Sequence, residues 1–402
     1  VVLKIQNVTM YTGNGEKRLN TSIVVKGKTI LATGEEADRL EADTVIDGSG
    51  KTVIPGLFDL HVHLGMDGVS DPFAQVAGDS PAISAYRHHV NAQKQLKSGV
   101  TSVRNLGSKW HIDLDYRNSI RDGLMSGPTV YGSGQALVMT GGHGYPFSTE
   151  ADGEDGVRKA TRDTLKAGAD VIKLMATGGV MTPGVDPGSP QLSEKEMRAA
   201  VEEALHAGKT TAAHAQGTAG IQNAVRAGIT TIEHGIFLDD ETIDLMIKHD
   251  TVLVPTLAAP YYIVQHGESG GIPAHAVKKA VDCFHTHRES FQKALAAGVR
   301  IAAGTDAGTP FNVHGDFAKE LELMQEYGMK VRDIIAAATS QAAKTLNVDR
   351  TVGTLEKGKS ADFVLLDEDP ESNISAFRQV HSVFKGGICV HESANKLEAV
   401  VG

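Results

Sequence analysis

Apolar and polar positions along this chain fall into two textures. From Val1 to about Val53, short alternating segments such as LKIQNVTMY, TSIVVKGKTILATG and TVIDGSGKTVIPG are broken by Gly, Asn and Asp. Alternation punctuated in this way marks half-buried strands joined by hairpins. The far end repeats it in GTLEKGKSADFVLLDED and VHSVFKGGICV. Strands from the two ends are expected to pair into a small β-sandwich, residues 1–55 with 350–402, leaving 56–349 as an inserted domain.

The middle carries a recurring phrase. LKSGVTSVRNLG, LKAGADVIKLMATGG, LHAGKTTAAHAQG, VRAGITTIEHG and LAAGVRIAAGTDAG each close a helical stretch on Gly, run a short strand and break at Gly again. The first glycine of each suits the left-handed position that ends a helix. SEKEMRAAVEEALHAG opens with Ser193 and Glu196 at capping-box spacing. Helix–strand alternation repeated this often predicts parallel βα units, in an open sheet or a closed barrel. With PGLFDLHVH, GPTVYGSG and DTVLVPTL the strand count reaches about eight, so the expected fold is α/β, a TIM-type (β/α)8 barrel.

Composition changes this picture little. The 402 residues carry a net charge of −10 without a basic block, which argues against nucleic acid or an anionic membrane as a partner. Two cysteines, Cys283 and Cys389, are too few for a disulfide framework, and a cytoplasmic setting is the expectation. The expected partners are a small-molecule or dipeptide substrate and further copies of the chain.

The chemistry lies where strands end, because a barrel builds its active site at the C-terminal ends of its strands. His61 and His63 share one strand face. Lys173 lies inside the apolar run DVIKLMA, His214 ends AAHAQG, His234 ends TIEHG, and Asp306 sits in AAGTDAG. Each alone has a structural explanation: a hydrogen-bonded core histidine, a turn aspartate, a lysine that snorkels out. Six such side chains at matched places on five strands converge if the strands are parallel.

Lys173 is the informative member. A buried ammonium is costly unless paired or chemically changed, and no acidic residue sits two places away on its strand face. Four imidazoles and one carboxylate carry a single negative charge against the four positive charges of two divalent cations. An amine that has taken up carbon dioxide is a carbamate, anionic and with two oxygens. Such a group spans two metals about 3.5–4 Å apart.

At these residues the chain resembles the amidohydrolase superfamily: PGLFDLHVHLG, IKLMATGG, AAHAQG, IEHG and GTDAG follow its ligand strands in order. The resemblance implies that His61, His63 and Asp306 hold the more buried of two metals, zinc being the expected one. It implies that His214 and His234 hold the other, with carboxylated Lys173 and a hydroxide bridging. The wording TSVRNLG, ALVMTGGHG and KLMATGGVMTPG is similar to the branch of dipeptidases and carboxypeptidases that act on Xaa–Pro, Xaa–Arg or Xaa–Lys, a branch that also cleaves N-acyl amino acids such as ochratoxin. Gln216 stands where prolidase-like members often carry an aromatic residue.

The implied reaction is attack of the bridging hydroxide on an amide carbonyl. Asp306 would move its proton to the leaving amine, and His143 of TGGHG would donate to the developing oxyanion. Tyr261, Tyr262 and Gln216 are candidate substrate contacts. The connection from Gly178 to Gln191 is long enough to act as a lid, and Arg104 is expected to brace the barrel end by pairing. Three alternatives stand beside this: a single-metal deaminase, which lacks its usual glutamate in HAQGTAG; a hydrolase of cyclic amides or lactams, as imidazolonepropionase is; and a relative without catalysis, which would not be expected to keep all six ligands.

Overall fold

The structure is a computed structural model, and it describes residues 1–393 and 399–400. Residues 394–398 and 401–402, at the end of the expected C-terminal sandwich segment, lie outside the described residues. The chain divides into two compact units, one of Val1–Asp59, Gln93–Ser102 and Gly315–Gly402, the other of Leu60–Ala92 and Val103–His314.

In the first unit, strands from both chain ends share one nine-stranded sheet. Val2–Tyr11 runs antiparallel to Lys17–Lys26 and parallel to Thr44–Asp47 and Thr52–Pro55. Thr52–Pro55 pairs antiparallel with Phe363–Leu366, Val53 opposite Leu365. The alternating sequences put Ile5, Met10, Ile23, Val53, Phe363 and Phe384 into one buried cluster. There the rings of Phe363 and Phe384 stack at 4.5 Å. Each such side chain contributes about 1.5–3 kcal/mol through the surface it removes from water.

In the second unit, Val171–Met175, Thr210–Ala215, Thr231–His234 and Val252–Val254 are successive parallel neighbours. The recurring phrase behaves as its residues dictate. Helices Thr218–Ala227 and Ala274–Ala297 stop at Gly228 and Gly298, which take left-handed φ of 93° and 85°, a conformation that costs a residue with a Cβ roughly 1–2 kcal/mol. Ser193 and Glu196 form the capping box of helix Glu194–His206.

One expected strand forms differently. AAGVRIAAGTDAG keeps only isolated parallel bridges, Ile301 to Leu253 and Ala307 to Val62. Its backbone bonds run to both sides: Ala302 N–H donates to Leu253 O, while Leu60 N–H donates to Ala303 O and Asp306 N–H to His61 O. Two local features interrupt a regular ladder. Gly304 approaches so closely that a Cβ there would lie 2.6 Å from Val254 Cγ1 and 2.9 Å from His61 N. Asp306 takes a left-handed φ of 60°, which turns the chain out of extended geometry.

Among the described residues, no helix is long and apolar enough to cross a membrane. Cys283 is buried, Cys389 is exposed, and both are free.

Candidate metal centre

Parallel strands ending at one level bring their terminal side chains together. His61, His63, Lys173, His214, His234 and Asp306 all line one cavity of about 740 Å³, its open mouth included. Asp306 Oδ1 lies 3.3 Å from His61 Nε2 and 3.1 Å from His63 Nε2. The His61 and His234 rings are 5.2 Å apart, His234 and His214 4.7 Å, and His214 and His143 4.4 Å. His61, His234 and Asp306 offer ligand atoms within 4.8 Å of one another.

Hydrogen bonds assign the hydrogen to one nitrogen in each of three rings. His61 Nδ1 is 2.8 Å from Glu233 Oε2, so it carries the hydrogen and Nε2 keeps its lone pair. His214 Nε2 donates to Gly178 O at 2.8 Å, which leaves Nδ1. The Thr256 hydroxyl donates to Pro255 O; it therefore accepts from His234 Nδ1 at 2.7 Å, and Nε2 is left. Burial, then the nearby charge of Lys173 and neighbouring imidazoles, holds His61, His214 and His234 well below the usual histidine range. Neutral imidazole is the form that ligates a metal.

This donor set fits a cation. With the hydrogen on Nδ1, His61 Nε2 faces a carboxylate oxygen at 3.3 Å; this sets two acceptors against each other, an arrangement that a positive charge between them relieves. His63 Nδ1 is buried with no hydrogen-bond partner among the described residues. His234, Asp306 and Thr256 take left-handed φ of 75°, 60° and 53°; strain concentrated in this way is held by the surrounding structure and is characteristic of functional positions.

Lys173 is 2% exposed and makes no salt bridge among the described residues. Burial pushes its amine down to about 8, against the upward pull of Glu233 and Asp306. Burial thereby favours the free amine, the form that reacts with carbon dioxide.

Arg104 braces by pairing, and its partner is a residue the sequence reading did not name. Arg104, fully buried, donates to Leu60 O at 2.6 Å, to Thr231 Oγ1 at 3.0 Å and to Glu233 Oε1 at 2.7 Å. Glu233 thus joins Arg104 to His61, and sequence reasoning missed it. The available signal was one arginine and one glutamate in different buried strands, a pair whose charges must meet. Replacing Glu233 with glutamine is expected to weaken metal binding about 10–100-fold, as losses behind a ligating histidine do. It also leaves Arg104 buried without its counter-charge, at about 3–5 kcal/mol. Chelator competition and thermal unfolding measure the two effects; full retention of both would remove Glu233 from the site.

His143 and Gln216 also line the cavity. Tyr261 and Tyr262 do not: helix Ala258–His266 turns Ala259, Pro260 and Ile263 toward it instead. The two tyrosines follow directly on the same helix. His287 is buried on the cavity wall with Nε2 3.0 Å from His234 O.

The chain matches the Amidohydrolase family over residues 52–390. Ochratoxinase of Aspergillus niger is 32% identical over 410 residues, covering 93% of this chain and 84% of that protein. A Xaa-Pro dipeptidase solved with methionine in its active site superposes with a TM-score of 0.90 at 32% identity, over 98% of this chain and 100% of that one. A prolidase complexed with N-methylphosphonate-L-proline gives 0.89 at 30% identity, again over 98% and 100%. Agreement of this kind runs through sequence and backbone alike over nearly the whole length. The chain belongs to the amidohydrolase family, in its prolidase-like branch, and is a hydrolase of amide bonds.

Proposed function

We propose that this chain is a binuclear-metal hydrolase of N-acyl amino acids and dipeptides with uncharged, apolar side groups, built as a (β/α)8 barrel with a β-sandwich from its chain ends. The observation that carries the reading is the meeting of His61, His63, Lys173, His214, His234 and Asp306 on one cavity wall. A ring of pairings supports the barrel. Leu57–Val62, Val100–Asn105 and Thr129–Gly132 are neighbours in one sheet, and Asp170 N–H donates to Gly132 O. The parallel strands from Val171 to Val254 follow, and segment 300–307 bonds to Leu253 on one side and to Leu60 and His61 on the other.

In this reading His61, His63 and Asp306 would hold one divalent cation and His214 and His234 the other, with carboxylated Lys173 serving both; zinc would suit the imidazole-rich set. Such ions supply Lewis acidity to the scissile carbonyl and lower the pKa of water. Asp306 takes the proton of the attacking water and gives it to the amine nitrogen as the C–N bond breaks.

Thr182 Oγ1 accepts from Gly144 N–H at 3.1 Å and lies 2.8 Å from His143 Nδ1. With Thr182 donating to Nδ1, the hydrogen of His143 would sit on Nε2. Burial, the largest cause, holds His143 below the usual histidine range. The ring is then a neutral donor for the oxyanion. Gln216 Oε1, buried with no hydrogen-bond partner among the described residues, is available to an N–H of the substrate.

The remaining wall sets specificity. Phe73, Phe147, Met175, Val180, Met181 and Ile263 are apolar, and Asp306 is the lone carboxylate of the lining. A cationic substrate side chain would be buried there without a partner, which costs about 3 kcal/mol or more. Metal-replete protein should therefore cleave N-acyl and Xaa–Pro substrates with apolar groups at least about 100-fold faster, as kcat/KM, than matched Xaa–Arg or Xaa–Lys dipeptides. A competition assay over those series, with cyclic amides included, reads this directly. Preference for Arg or Lys, or turnover of cyclic amides alone, overturns the substrate reading.

A further inference from the structure

The connection GGVMTPGVDPGSPQ holds four glycines and three prolines among its fourteen residues, so its own backbone offers few bonds to fix it. It is fixed from outside. Helix Ala274–Ala297 sends the ammonium of Lys279 to three of its carbonyls: Gly179 O at 3.2 Å, Thr182 O at 2.7 Å and Val185 O at 2.5 Å. Three acceptors use all three donors of a lysine. One turn earlier on the same helix face, His275 Nε2 donates to Met181 O at 3.0 Å.

The inner side of the same few residues holds the site. Gly178 O accepts from His214 Nε2, and Thr182 Oγ1 bonds His143 Nδ1, each at 2.8 Å. Gly179 lies flat against the His143 ring, where a Cβ would come within 2.4 Å of Cε1. Val180 and Met181 form part of the cavity wall.

We infer that Lys279 is a positioning residue: by gathering the carbonyls of 179, 182 and 185 it holds the segment that orients His143 and His214 and closes the cavity over the substrate. The inference rests on the proposed reading of this cavity as the active site. Lysine suits the task because its compact ammonium reaches three carbonyls converging on one point.

The test compares Lys279→Met, which keeps the stem and removes the donors, with Lys279→Arg, which keeps charge and donors. Lys278→Met, whose parent pairs with Asp282 on the exposed face, serves as control. Amide hydrogen exchange over 178–185, read in metal-loaded protein without substrate, is expected to speed up about 10-fold or more in Lys279→Met. With the best amide substrate, kcat should fall about 10-fold or more. Lys279→Arg should recover part of both, and Lys278→Met should match the parent. Unchanged exchange in Lys279→Met overturns the inference, as does faster exchange with kcat and KM unmoved. Should Lys279→Met not fold, Lys279→Arg and Lys279→Gln give the same two readings. A wild type that hydrolyses no amide would refute the substrate reading, while the exchange result would still judge the clasp.

Discussion

Lys173→Ala is expected to lower kcat/KM for amide substrates by about a thousandfold or more, equivalent to about 4 kcal/mol of transition-state stabilisation. The reason is charge. Without the proposed carbamate, four neutral imidazoles and one carboxylate would face two divalent cations with a single negative charge, and at least one ion would be held poorly. Metal analysis of the purified variant should show that deficit. Acetate or propionate should restore part of the activity, because a short carboxylate fits the space vacated by the side chain and supplies the two oxygens. Lys173→Met separates this from folding: it keeps most of the volume and removes a buried amine, so the metal-free protein should lose little or no stability. Near-normal turnover by either variant would remove the lysine from the chemistry.

Asp306→Asn is expected to abolish turnover to a similar extent while sparing more of the metal. Asparagine keeps an oxygen in place and tolerates the left-handed backbone, φ 60°, that Asp306 adopts. What it loses is the basicity that lets the carboxylate carry a proton from water to the leaving amine. Single-turnover rates paired with metal content distinguish the two roles. Loss of metal in proportion to activity would reduce Asp306 to a ligand, and a variant with normal rates would exclude the proton transfer.

Much of the site was legible because its signals are local. Apolar runs that end on His or Asp after a helix-closing glycine announce strand ends, and a lysine in the middle of DVIKLMA is an anomaly visible without neighbours. The segment holding Asp306 was only half legible: that it carries Asp306 follows from the repeat, but its irregular bonding to Leu253 on one side and Leu60 and His61 on the other is a matter of tertiary fit around Gly304. The link from Arg104 to Glu233 spans 129 residues, and no local pattern reports such a pairing. The helix after VLVPTL, which puts Ala259, Pro260 and Ile263 on the cavity wall, left no local sign of which of its positions face inward. Lys279 was silent for the same reason as Glu233. Its partners are backbone carbonyls about 100 residues earlier, and the sequence VKKA holds no sign of them.

The central claim is that Lys173 is an anionic ligand at a two-metal centre. Carbon-13 NMR of zinc-loaded, active protein equilibrated with labelled bicarbonate tests it most directly. A single carbamate resonance, present in the wild type and missing from Lys173→Ala, is the expected result. Fully active, metal-replete protein with no carbamate resonance would contradict it.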